Sequence, residues 1–197
     1  MTLPDHPADR HREVARTFTA RVLGVADWDA PAPVEGWAAR DVVRHLTDWL
    51  PGFLEGGAGV TLARGPAVDD DPVGAWRVHA AAVQDLLDDP STASRVLSNR
   101  YVGEVPLDVA VDRFYTSDVF QHTWDLARAT GQDDRLDPDV CGQLLAEMEP
   151  TDALLRSSGQ YGPRVPVPDG SDVQARLLGF IGRDPWWTPP AASRSGA

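Results

Sequence analysis

Val14, Phe18, Val22 and Val25 recur at steps of four, four and three. That is the period of one apolar helix face, and it predicts a first helix over about 9–26. The Pro- and Gly-containing run 29–36 (DAPAPVEG) ends it. A second helix is expected over about 38–55, with Val42, His45, Leu46, Trp49 and Phe53 inside and Arg40, Arg44, Thr47 and Asp48 outside. Asp71-Pro72 reads as an N-cap and first-turn proline, opening a third helix through Trp76 and Val83 to about residue 88. Residues 90–105 read as irregular, with a short extended piece over 95–102 and no clear β-hairpin signal. A fourth helical pattern starts at Pro106 and holds to Thr130, where Gly131 is a good stop. A shorter helix is expected over 137–149, with one more turn around Leu154 and Leu155. Ser171 is placed to cap a last helix through Leu177, Leu178 and Ile181.

Four long helices joined by connections of about ten to seventeen residues imply an all-α bundle with crossovers and short extra C-terminal helices. One domain is expected over 1–185, with a disordered tail over 186–197. The net charge of −12 argues against nucleic acid and anionic membranes as partners. All 18 basic residues are arginine, so chemistry that needs a lysine nucleophile or phosphate ligand is excluded. A polar N-terminus and the lack of a long apolar run lead to the expectation of a soluble, cytoplasmic protein without a signal peptide.

The fourth helix carries the candidate chemistry. Asp118 and His122 are four residues apart and project side by side from a stripe that includes Val111 and Phe114. A carboxylate on such a stripe is costly unless it is paired or bound to a metal. On the second helix His45 is likewise flanked by Val42, Leu46 and Trp49. Spacing alone leaves two readings open: a metal site assembled across two helices, or satisfied core histidines with a local Asp–His hydrogen bond. Asp125 returns to nearly the same face and reads either as a partner that holds a histidine or as a salt bridge to Arg128 or Arg21. Trp37 and Trp124 are read as packing residues, and Trp49 as core that could also line a pocket. His79 is read as a marginal, surface histidine, and His6 and His11 as incidental. Cys141 lacks a neighbouring activator and is read as structural. The nucleophile-elbow, dinucleotide-loop and His-Glu-x-x-His patterns do not occur.

The segments GWAARDVVRHL around His45 and DVFQHTWDLARATGQD from Asp118 resemble the two metal-ligand segments of the DinB/YfiT-like superfamily. They are similar in particular to the mycothiol-dependent maleylpyruvate isomerase N-terminal branch, and QARLLGFIGRDPWW resembles the GRDP-type ending of its relatives. The resemblance implies a four-helix bundle holding one divalent metal through His45, Asp118 and His122. Many members carry histidine at the position of Asp118, and the isomerase carries glutamate. The shorter aspartate then sits closer to the metal or binds through water. The isomerase's additional C-terminal domain, with its functional arginine, has no counterpart expected here. Zinc is the preferred ion, ahead of nickel or iron, because two histidines and one carboxylate leave open positions. The expected partner is a small molecule, with mycothiol or another low-molecular-weight thiol as candidate co-substrate. The expected activity is that of a metal-dependent transferase or isomerase activating a thiol or water. A non-catalytic metal or small-ligand binding protein is the alternative, and a homodimer is compatible with either.

Overall fold

In the computed structural model the described residues are 3–100, 103–157 and 159–190. They form a mostly helical structure: α1 (Pro7–Leu23), α2 (Ala39–Ala58), α3 (Pro72–Asp88), a two-stranded sheet, α4 (Leu107–Ala110), a π-helical stretch (Val111–Thr116), α5 (Ser117–Ala129), α6 (Pro138–Met148), α7 (Asp152–Ser157) and α8 (Val173–Phe180). The helix starts follow local chemistry. Asp71 accepts a hydrogen bond from Gly74 N (2.8 Å) ahead of Pro72. Asp137 accepts from Asp139 N and Val140 N ahead of Pro138. The expected cap of the last helix shifts by one: Asp172, not Ser171, accepts from Ala175 N at 2.8 Å. Ser171 instead closes a turn on Pro168. Gly131 takes φ +66°, and Gln132 N donates to Ala127 O at 2.9 Å, the paired stop that a left-handed glycine permits.

The sequence expectation fails at the hairpin. Strand β1 (Val96–Asn99) pairs antiparallel with β2 (Gly103–Pro106), placing Leu97 opposite Val105. Each strand has only four residues, too few for an alternating pattern to stand out, and Gly103, at φ +74°, opens the second. The sheet is held by burial of Leu97 against α2. Gly57 provides the space, since a Cβ there would lie 2.9 Å from Leu97 Cγ.

The fourth predicted helix is three segments in one rod, α4, the π-helical stretch and α5, with right-handed helical dihedrals at every junction. α1 packs on α3 and on α5, and α2 packs on α3, α5 and β1, so the four long elements share a core. Phe18 and Trp76 meet edge-on at 4.5 Å in its centre. α6 and α8 pack together beside it. No helix among the described residues is long and apolar enough to cross a membrane. Trp187, at the start of the expected tail, packs partly buried against the core, and its carbonyl accepts from Arg128 Nε at 2.8 Å. Residues 191–197 lie outside the described residues.

Candidate metal centre

α2 turns Val42, Leu46 and Leu50 inward, and His45 lies on the same side, half-buried with 33% of its side chain exposed. From α5, Asp118 is 20% exposed and His122 only 6%. The three meet. His45 Nε2 lies 3.0 Å from Asp118 Oδ2, and His122 Nε2 lies 3.4 Å from Asp118 Oδ1. One ligand atom from each residue falls within 4.8 Å of the others. Donors around a tetrahedral zinc at about 2.0–2.1 Å are roughly 3.3–3.5 Å apart; the His122 separation matches this, while His45 lies closer and to the other carboxylate oxygen. The chemistry of the set, two imidazoles and a carboxylate, suits the same ion.

Behind the three residues lies a brace. His122 Nδ1 is 2.8 Å from Asp125 Oδ2, which leaves Nε2 to face Asp118. Asp125 is fully buried, and Arg183 meets both of its oxygens, Nε to Oδ1 at 2.9 Å and Nη2 to Oδ2 at 3.1 Å. Burial alone would raise the Asp125 carboxyl, but the Arg183 charge and the His122 contact outweigh it and hold it below its usual value. At Asp118 burial likewise works upward, while the facing His122, the His45 hydrogen bond and Trp49 bring the net shift down. Both carboxylates therefore stay ionised, as ligation and bracing require.

Aromatic rings frame the group. Trp37 lies 5.3 Å from the His45 ring and 5.7 Å from the His122 ring, nearly parallel to the latter at 17°. Trp49 donates its indole N–H to Asp118 Oδ2 at 3.0 Å. Spacing treats both tryptophans as packing first; both rings lie close to His45, at 5.3 Å for Trp37 and 6.4 Å for Trp49. Trp124 is core, as its pattern indicates. Tyr161, unremarked in the sequence, also borders the site: burial pushes its phenol up, and the Asp118 charge adds to that.

Asp125 takes the position of a histidine brace, and its salt bridge is to neither arginine expected from the sequence. Arg128 pairs with Asp134 at 2.7 Å, and Arg21 lies 4.0 Å from Asp133. Arg183 was missed because it lies 58 residues further on. The only signal for it was its place in the GRDP run. Two further readings are corrected. His79, read as a surface histidine, is 4% exposed, and His11, read as incidental, is fully buried on α1 with Nδ1 2.9 Å from Thr116 Oγ1. His6, by contrast, is exposed ahead of α1. Burial pushes the Cys141 thiol up to about 12, with Asp137 and Asp172 adding to it, which leaves it inert.

No family model matches the chain. Two curated proteins of Mycobacterium tuberculosis, from strains CDC 1551 / Oshkosh and ATCC 25618 / H37Rv, are each 29% identical over 188 residues, spanning 90% of this chain and 97% of theirs. Both are described as uncharacterized. No solved structure matches.

Proposed function

We propose that the protein binds one divalent metal ion through His45, Asp118 and His122, and uses it to activate a small thiol or water. The observation that carries this reading is the meeting of three ligand atoms within 4.8 Å, with His122 braced from behind by the Asp125–Arg183 pair. A solitary histidine in a core needs no such chain of partners, whereas a ligating histidine has its second nitrogen held as a rule. The resemblance to the DinB/YfiT-like superfamily supports it from a second direction, since the same three positions fall in that superfamily's ligand segments. The mutual packing of α1, α2, α3 and the α4–α5 rod is compatible with the four-helix bundle which that resemblance implies.

A bound zinc ion would supply Lewis acidity, favouring the ionised form of a thiol or water held at an open position. The chain's own residues do the rest. Asp125 sets its charge 2.8 Å from His122 Nδ1, Arg183 keeps Asp125 charged, and the Trp37 and Trp49 rings pack beside His45. A transferase or isomerase acting with a mycothiol-type thiol is the preferred activity. Asp118 Oδ2 accepts from Trp49 and lies 3.0 Å from His45 Nε2, so the indole orients the carboxylate as an outer partner of the site.

Elemental analysis tests the metal. About one divalent ion per chain is expected, with His45→Ala and His122→Ala each losing it; full retention in both variants overturns the ligand assignment. In the cobalt(II) form, millimolar thiol is expected to create a sulfur-to-cobalt charge-transfer band. A silent spectrum would remove thiol activation and leave water activation or simple binding.

A further inference from the structure

A second polar cluster lies in the core next to the metal centre: the Tyr115 ring sits 5.7 Å from the Trp49 ring, and the Asp118 charge reaches its phenol, but none of the cluster's residues belongs to the proposed ligand set. His11 on α1 is fully buried, His79 on α3 is 4% exposed, and Tyr115 in the π-helical stretch is fully buried. The Tyr115 ring sits 5.7 Å from the His11 ring and 5.5 Å from the His79 ring. His11 Nδ1 is 2.9 Å from Thr116 Oγ1, which fixes the ring and turns Nε2 inward. Three polar atoms then lack a partner among the described residues: His11 Nε2, His79 Nε2 and Tyr115 Oη. Leaving three such groups unpaired in a core would be strongly destabilising.

We propose that these three atoms form a sealed internal site that holds one ordered water molecule, a shared polar hub for α1, α3 and the π-helical stretch. The valences fit. A water has two donors and two acceptors, and buried waters make about three hydrogen bonds. With Tyr115 donating and the two Nε2 atoms accepting, one water satisfies all three. If Thr116 instead donates to His11 Nδ1, His11 Nε2–H becomes a donor and the same water accepts from it. A cation fits worse, because there is no carboxylate in the cluster to offset its charge and a buried uncompensated charge is costly. Burial, with the nearby His79, lowers His11 to about 4, and burial lowers His79 to about 4, so both rings are uncharged near neutrality. Burial also holds the Tyr115 phenol protonated.

The π-helical geometry gives the hub its place. Tyr115 and Thr116 are both buried, toward the two histidines, while Asp118 two residues later faces His45. One rod thus serves two polar clusters, and π-helical turns often mark such sites.

The test uses the intact chain. A crystal structure near 1.5 Å resolution is expected to show one non-metal density peak within about 2.7–3.2 Å of His11 Nε2, His79 Nε2 and Tyr115 Oη. A direct imidazole–imidazole hydrogen bond, an empty contact, or an anomalous metal signal there would each overturn the proposal. In solution, oxygen-17 magnetic relaxation dispersion counts long-lived internal waters without any substitution. At least one such water is expected in the wild-type chain, and a count of zero refutes the site.

Discussion

Asp125 has no exposed surface, so its charge is tolerated only because Arg183 meets both oxygens and His122 lies at 2.8 Å. Removing one partner of a buried pair leaves an uncompensated charge, typically a loss of about 3–5 kcal/mol. Arg183→Met is therefore expected to lower stability to urea by roughly 3 kcal/mol. A loss under about 1 kcal/mol would mean that water reaches Asp125 and takes over from the guanidinium. Asp125→Asn addresses function more directly. It keeps the shape but weakens the hold on His122 Nδ1, and metal affinity measured against a competing chelator is expected to fall about 10–100-fold. At this scale the sequence was informative where periodicity applies: His45, Asp118, His122 and Asp125 all lie on faces that a helical wheel predicts. For Arg183 it offered only the GRDP run and no period, because contacts between residues distant along the chain have none.

The helices were legible because apolar stripes and caps are local; Gly131 and Asp71 end and begin helices as their chemistry dictates. The π-helical stretch was not. It inserts its extra residue per turn inside one continuous rod, and apolar side chains on both sides mask the change of period. The hairpin was missed for a different reason, since Leu97 docks on α2, a contact between residues far apart along the chain that has no sequence pattern. Two glycines of α2 separate those effects. Gly52 faces open space, so Gly52→Ala is expected to gain about 0.5–1 kcal/mol from helix propensity. At Gly57 the new Cβ would meet Leu97 Cγ at 2.9 Å and Ser98 O at 3.3 Å. Gly57→Ala is expected to lose about 1 kcal/mol or more despite the same propensity gain. Thermal melts of the two variants decide it: equal stabilisation would mean that the hairpin does not depend on this close approach.

Across the whole molecule, two histidines that the sequence placed at the margins govern the response to acid. Burial lowers His11 and His79 to about 4 in the folded chain, against an ordinary value of 6.5. Between these limits the unfolded chain binds more protons than the folded one, so stability falls as pH drops from about 6.5 to about 4. Their contribution is fully present above 6.5 and gone below 4. At about 1.4 kcal/mol per pH unit, each imidazole accounts for on the order of 3 kcal/mol. The groups around them alter this little: Arg12 and His79 add to the lowering at His11, and the more distant Asp88 opposes it. Asp118 and Asp125 act in a separate window, because carboxyls held below their usual value lose their contribution only once pH falls beneath about 4. Urea titrations at pH 7, 6, 5 and 4 on metal-free protein are therefore expected to show a decline that begins between pH 7 and 6, above the range in which Asp118 and Asp125 titrate. His79→Gln, which remains polar but cannot charge, is expected to reduce the slope by about half. A stability profile that stays level from pH 7 to 4.5 would show that both rings reach solvent and protonate without unfolding, and the buried hub would go with them.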